Sequence, residues 1–224
     1  MSLPLQQLIS DPGTFLYTML LALPGIIIGL SLHEFAHAYV SYKLGDPTPM
    51  AQGRVTISPF AHIDPIGFLL LMLFGFGYGK PVQINPNNYK NPRRDEIFVA
   101  LAGVITNFFV AVLFAFVYFL LARFNVISLY STMSTILINI IFINVNLMVF
   151  NLLPIPPLDG YKVVRNLLLG HVDVGKLWRV EAFFNRYGYL ILFAILSLPA
   201  TMDLIDILAG WVIDAVMFLT SWVL

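Results

Sequence analysis

Cysteine is absent from the 224 residues, which excludes disulfides and thiolate metal sites and leaves the redox compartment open. Charge is scarce. Asp, Glu, Lys and Arg make up 11% of the chain, against roughly 25% in soluble domains, so water is not its main solvent. Neither sign dominates, with 12 basic and 12 acidic residues, so no basic excess points to nucleic acid and no such partner is expected. The N-terminal MSLPLQQLISDPG lacks the positive region of a signal peptide, so the first apolar segment is read as retained in the membrane. No internal repeat or soluble domain stands out. What is abundant is hydrophobicity, with 59% apolar residues and a mean hydropathy of +0.85.

The apolar residues are grouped in runs. No charge occurs from Thr14 to Leu30, a length that enters a bilayer. Further runs cover 66–76, 97–122, 132–153 and 187–224, the last broken at Ser-Leu-Pro-Ala from Ser197. Those at 97–122 and 132–153 each suit one crossing by a helix. The run at 66–76 is too short. It sits in GRVTISPFAHIDPIGFLLLMLFGFGYGKPVQINPNNYKNP, where alternating VTI and PVQI with prolines and glycines predict short strands flanking a half-helix. Non-helical backbone at membrane depth survives only where protein or a wet cavity satisfies it, so this part is read as re-entrant or interfacial. The expected fold is an all-α polytopic membrane protein of about five to six transmembrane helices with a small β or re-entrant insertion. One membrane-embedded domain, 1–224, would comprise a core at 14–165, the insertion at 54–92 and a C-terminal helical hairpin at 184–224.

Charge placement orients these runs. If 14–42 crosses inward, 43–96 stays inside, and 97–122 and 132–153 cross out and back, every Lys and Arg except Arg123 falls inside. That is the positive-inside pattern of a multi-pass cell-membrane protein. A full crossing at 66–76 would place KNPRRDE outside and erase most of the bias. The C-terminal hairpin then returns inward.

Within the first span lies SLHEFAHAYV, residues 31 to 40. A charged side chain near the centre of a membrane helix costs roughly 2.5–3.5 kcal/mol, so the polar residues here need a compensating role. His33 and His37 are four apart and project from one helix face, the spacing that two ligands of one metal require. Glu34 lies beside them, within reach of a metal-activated water. Zinc lowers the pKa of such a water to about 7, and a carboxylate can take its proton during attack on a carbonyl. A solvated polar face is the bland alternative, and membrane depth counts against it.

A catalytic zinc site uses a third protein ligand. The extended HExxHxxGxxH pattern of soluble zincins fails, because Val40 and Lys43 stand at its Gly and His positions. The candidate on the same membrane side is Asp159 in FNLLPIPPLDGYKVV. Pro154, Pro156 and Pro157 must end the preceding helix there. Asp159 also reads well as a helix N-cap; beside an HExxH lacking a third ligand, the metal reading is preferred.

Other polar residues carry two readings each. Asn107, with Thr106, could donate to a developing oxyanion or to substrate, or it could make an interhelical hydrogen bond; the two stand equal. Asn144 and Asn146 are read as packing. For His62 and Asp64 a loop-locking hydrogen bond is preferred over a second metal pair, and His171 is read as solvated. Asp203, Asp206 and Asp214 share a helix face. In the expected topology two of them lie near the outer surface, and the face is read as wet or oligomeric, which leaves a homo-oligomer open.

HEFAH, ALAGVITN and NLLPIPPLDG, in this order, resemble the site-2 protease family of intramembrane zinc metalloproteases. GRVTISPFAHIDPIG and GKPVQINPNNYKNPRRDE resemble its small bacterial-type branch, which lacks PDZ and CBS modules. The resemblance runs from about Leu20 to Arg165. It implies one zinc per chain held by His33, His37 and Asp159, with Glu34 as general base and Asn151 on the substrate backbone. Val104 stands where proline is common and Tyr161 where a second glycine or small residue is common; neither replaces a ligand, and both bear on packing and access. The implied activity is hydrolysis within or near transmembrane segments of membrane proteins, with the active site toward the cytoplasm. A metal-ion transporter would use the same ligands but gives Glu34 no role. A proteolytically inactive helix-binding protein would not need the intact set.

Overall fold

The computed structural model describes residues 4–74, 77–128, 130–169 and 174–223. A short helix, α1 (Pro4–Ser10), leads into α2 (Pro12–Lys43). The start of α2 is fixed locally: Pro12 occupies the first turn and the Asp11 carboxylate accepts the Thr14 N–H at 3.1 Å. Two four-residue turns follow, α3 (Thr48–Ala51) and α4 (Pro59–His62), then α5 (Pro65–Phe74). The long α6 (Pro92–Arg123) and α7 (Thr132–Leu152) come next; the Ser131 hydroxyl caps α7 by accepting the Ser134 N–H, and at α6 the Asp95 carboxylate accepts the Asn91 N–H. The chain ends in α8 (Asp159–Leu168), α9 (Val174–Leu196) and α10 (Pro199–Ser221).

Four helices, α2, α6, α7 and α10, are long and apolar enough to cross a membrane. By length and composition the described residues thus hold four such helices, against the five to six expected. The difference lies at the C-terminus, where α9 is not among them. Phe184 of α9 meets the Tyr161 ring of α8 at 5.8 Å between centroids, and Leu192, Phe193 and Leu196 line the cavity that holds Asp159. So the C-terminal end of α9 lies at that cavity. α10 follows, and Arg123 Nη1 at the C-terminal end of α6 donates to the Val223 carbonyl at 3.0 Å. α10 therefore ends beside Arg123, and Asp203 and Asp206 lie toward the opposite end of that helix. All three α10 aspartates are exposed.

The strands expected around the half-helix are also absent among the described residues. An isolated bridge joins Ile63 to Gly79, with the Lys80 N–H donating to the His62 carbonyl. Residues 81–85 form no ladder and turn their backbone donors elsewhere: the Val82 N–H reaches Glu34 Oε2 at 3.3 Å and the Asn85 N–H reaches Asp46 Oδ2 at 2.7 Å. At 10 residues, α5 spans ~15 Å, half the ~30 Å hydrocarbon core. His62 donates to the Thr56 carbonyl at 2.6 Å and Asp64 accepts the Ile66 and Gly67 N–H groups, so both lock the loop. His171 lies outside the described residues.

Packing follows small residues and apolar stripes. Ala111, Ala115 and Phe119 of α6, Ile141, Val145 and Val149 of α7, and Ile205, Ala209 and Val216 of α10 form the core cluster. Gly25 and Gly29 let α2 press against α7. A Cβ would come within 2.8 Å of Ile143 at the first and 2.7 Å of Leu147 at the second, the close approach that GxxxG spacing permits between membrane helices. Beyond α2, the fully buried Asp46 gathers Ser41, Thr48, Asn85 and Asn88 and so ties the 85–89 segment to the helix end.

Candidate active site

The i, i+4 spacing puts His33 and His37 on the inward face of α2, where both are buried. Opposite them, one face of α6 repeats the same period. Val99, Gly103 and Asn107 are successive i+4 positions, and each answers the histidines. The His37 Nδ1–H donates to the Val99 carbonyl at 2.7 Å, and the His33 Nδ1–H donates to Asn107 Oδ1 at 2.7 Å. Between them Gly103 has no side chain; a Cβ there would sit 2.6 Å from His33 Cε1 and from His37 Nε2. Asn107 is itself held, its Nδ2 donating to Asn144 Oδ1 at 3.1 Å, and Asn144 Nδ2 donates to the Ile140 carbonyl at 2.8 Å.

These bonds fix both tautomers. With each Nδ1 carrying its proton toward an acceptor, each Nε2 presents a lone pair. The two Nε2 atoms face each other at 2.9 Å, and Asp159 Oδ2 lies 3.1 Å from one and 3.0 Å from the other. Asp159 arrives there because the proline-rich turn after α7 ends at Leu158, and α8 begins at Asp159 itself. Three electron-rich atoms turned toward one another repel unless a cation lies among them. Their separations are close to the ~3.3 Å edge of a tetrahedron with ligand distances of ~2.0–2.1 Å, so the donor set fits zinc. It is the one such His and carboxylate group among the described residues.

The Asp159 carboxyl feels opposed effects. Burial pushes it up, and the charge of Lys162 works against that. Its second oxygen, Oδ1, accepts from Lys162 Nζ at 2.9 Å.

Glu34 borders the same space. It lines a cavity of about 720 Å³ together with His33, His37, Asp159, Val82 and Asn151. Gly79 lies against it, a Cβ there being 3.5 Å from Glu34 Oε1. Asn151 uses its Nδ2 on the Leu147 carbonyl at 2.9 Å. Asn107, expected equally at substrate or in a helix contact, is 1% exposed, with its oxygen on His33 and its nitrogen on Asn144; the geometry is that of a helix contact which orients His33. Asn144 shares that network, and Asn146 bonds within its own helix to the Phe142 carbonyl. Sequence reasoning missed Gly103, Val99 and Val82. The i+4 relation of Gly103 to Asn107 was the available signal for the first.

Comparison with known proteins points the same way. The sequence profile of peptidase family M50 matches residues 21–195. The chain belongs to this family. The family is that of the site-2 proteases, as the three motifs implied, and the chain is a metalloprotease of this type. Among its relatives, YwhC of Bacillus subtilis is 35% identical over 192 residues, covering 83% of this chain and 85% of YwhC. Rip2 of Mycolicibacterium smegmatis is 27% identical over 208 residues, covering 91% and 76%. MJ0611 of Methanocaldococcus jannaschii is 31% identical over 157 residues, covering 70% and 75%. Each is named as an inferred zinc metalloprotease. No solved structure matches the chain significantly.

Proposed function

We propose that the chain hydrolyses a peptide bond within or at the edge of a transmembrane segment of a substrate membrane protein. His33, His37 and Asp159 would hold one zinc, and Glu34 would act as general base. The observation that carries this is the convergence of three donor atoms within 3.1 Å of one another beside a carboxylate, in the wall of a cavity among membrane-length helices. Zinc, when bound, supplies Lewis acidity that acidifies water and polarises a carbonyl.

The chain's own residues do the rest. Glu34 follows His33 by one position and takes the proton from the attacking water. The Val82 N–H steadies that carboxylate from across the cavity. A transmembrane substrate is protected while helical, because its carbonyls are already bonded and side chains shield its backbone, so it must unwind first. The 81–84 segment lines the cavity and offers backbone to an unwound strand, in the manner of strand addition. Asn151, on the opposite wall, offers a carboxamide oxygen to a substrate N–H. Apolar Leu30, Leu70 and Phe150 line the same space and suit a segment taken from lipid.

The active site is assigned to the cytoplasmic side. With α9 stopping at the cavity, Arg179 and Arg186 stay on the same side as Lys80, Arg93 and Arg165, so four crossings keep the positive-inside pattern. The deciding experiment reconstitutes purified protein with zinc and a panel of single-pass substrates. Glu34→Gln should retain zinc while cleavage falls by ~10²–10⁴-fold, the usual loss for a general base. Normal cleavage by that variant would falsify the reading, and metal flux without any peptide product would instead mark a transporter.

A further inference from the structure

Lys162 lies three residues beyond Asp159 on α8, and it divides the work of the two carboxylate oxygens. Oδ2 faces the His33 and His37 Nε2 atoms at 3.1 and 3.0 Å. Oδ1 is turned away and accepts from the Lys162 ammonium at 2.9 Å, the length of a charge-assisted bond. We propose that Lys162 is a positioning residue that limits Asp159 to presenting a single oxygen to the metal. The proposal rests on the zinc reading given above.

The argument is one of coordination number. A carboxylate with two free oxygens can turn about its Cβ–Cγ bond and offer both, and a second oxygen would take the position that a catalytic site keeps open for water and substrate. Lys162 prevents that turn by engaging Oδ1. Asp159 is buried while the Lys162 side chain is 41% exposed, so the bond also contributes to stability, and the metal readouts below separate positioning from that contribution. No neighbouring cation can substitute. Arg165, one turn further along α8, is already committed to Glu96 and Glu181. Asp159 has its own backbone anchored at the start of α8, so the freedom that remains is rotation of the carboxylate, and that is the freedom Lys162 removes.

The test uses the purified full chain in detergent, loaded with Zn²⁺ or Co²⁺ alone. Zinc affinity is measured by competition with a chelator, and cobalt coordination by its visible absorption, which weakens as coordination number rises above four. Lys162→Met should lower zinc affinity by ~10–100-fold, as loss of a partner to a metal ligand does, and should reduce the cobalt absorption. Lys162→Arg should restore both to within about threefold of wild type. Lys162→Gln carries the same readouts if the methionine variant does not fold. Wild-type affinity and spectrum in Lys162→Met, or failure of arginine to restore either, would overturn the proposal. A wild-type chain whose metal binding is unaffected by loss of His33 and Asp159 would overturn the zinc reading instead.

Discussion

Replacing Gly103 by alanine tests whether α6 is shaped around the two histidines. The new Cβ would lie 2.6 Å from His33 Cε1, 2.6 Å from His37 Nε2 and 2.7 Å from His33 Nδ1, where ordinary contact begins at 3.4 Å. The rings or the helix must therefore give by about 0.8 Å, the difference between 3.4 and 2.6 Å. Neither moves freely. Each ring is tied to α6 by a 2.7 Å bond, one at Val99 and one at Asn107, on either side of Gly103. Overpacking of this kind costs about 1–3 kcal/mol, while the better helix propensity of alanine returns only ~0.5–1 kcal/mol. The clash wins, and it acts on ligand geometry. Loosening either histidine bond lowers metal affinity or activity by ~10–100-fold, and a 1 Å misplacement at a reacting centre can itself cost ~10²-fold. Gly103→Ala should thus lose zinc affinity by at least tenfold, and cleavage of a transmembrane substrate by more, while the protein still inserts and purifies. Gly210→Ala is the matched control, because a Cβ there meets nothing within 4 Å. A Gly103→Ala protein that binds zinc and cleaves like the control would refute the close fit.

Two further outcomes follow from the fold. In a chain with no native cysteine, a cysteine at Asn88 should be labelled only after the cell is opened, whereas one at Ser221 should be labelled from outside intact cells; the reverse pattern would invert the topology, and inside labelling of both would make α9 a further crossing. The second concerns Asp46. Burial pushes its carboxyl up, and hydrogen bonds from Thr48, Asn85 and Asn88 outweigh that and leave it lowered. A lowered carboxyl contributes stability that is complete above its ordinary value of about 3.9 and is lost as pH falls through the folded value below it. Proteolysis of the 80–90 segment should stay slow down to about pH 4 and quicken below, and in Asp46→Asn that acid step should vanish; a step that persists would assign it to another group.

The parts of this architecture that could be read from residues are those written in local periodicity. The i, i+4 histidines, the lengths of α6 and α7, and the proline stop before Asp159 all depend on neighbours in the chain, and the structure reproduces each. What could not be read depends on depth and on partners distant in sequence. Hydropathy reports how long an apolar run is but not where it sits, so the break at Ser197 was identified as a turn while its level in the membrane was not. The PVQI run lies outside any helix, whereas VTI bends, the Thr56 N–H turning back to the Arg54 carbonyl. Their pairing was illegible because a ladder needs a register, and here Glu34 and Asp46 take the donors that a partner strand would have used. Gly103 shows the same limit in one residue: its absence of a side chain matters only because two rings from another helix occupy the space.

The polar network under the histidines then has a clear physical reading. It runs from His33 through Asn107 and Asn144 and ends on the Ile140 carbonyl. Hydrogen bonds between membrane helices are worth only ~0.6 kcal/mol each on average, so the network adds little to stability. Leaving any one member unpaired at this depth would cost several kcal/mol, because no water replaces the lost partner. That asymmetry makes the chain of bonds all-or-none. Because it ends on a backbone carbonyl, which can only accept, the direction of every proton along it is determined: Asn144 must donate to Ile140, Asn107 must donate to Asn144, and His33 must donate to Asn107. The Nε2 of His33 is therefore left bare, and a residue in the middle of α7 decides which nitrogen faces Asp159.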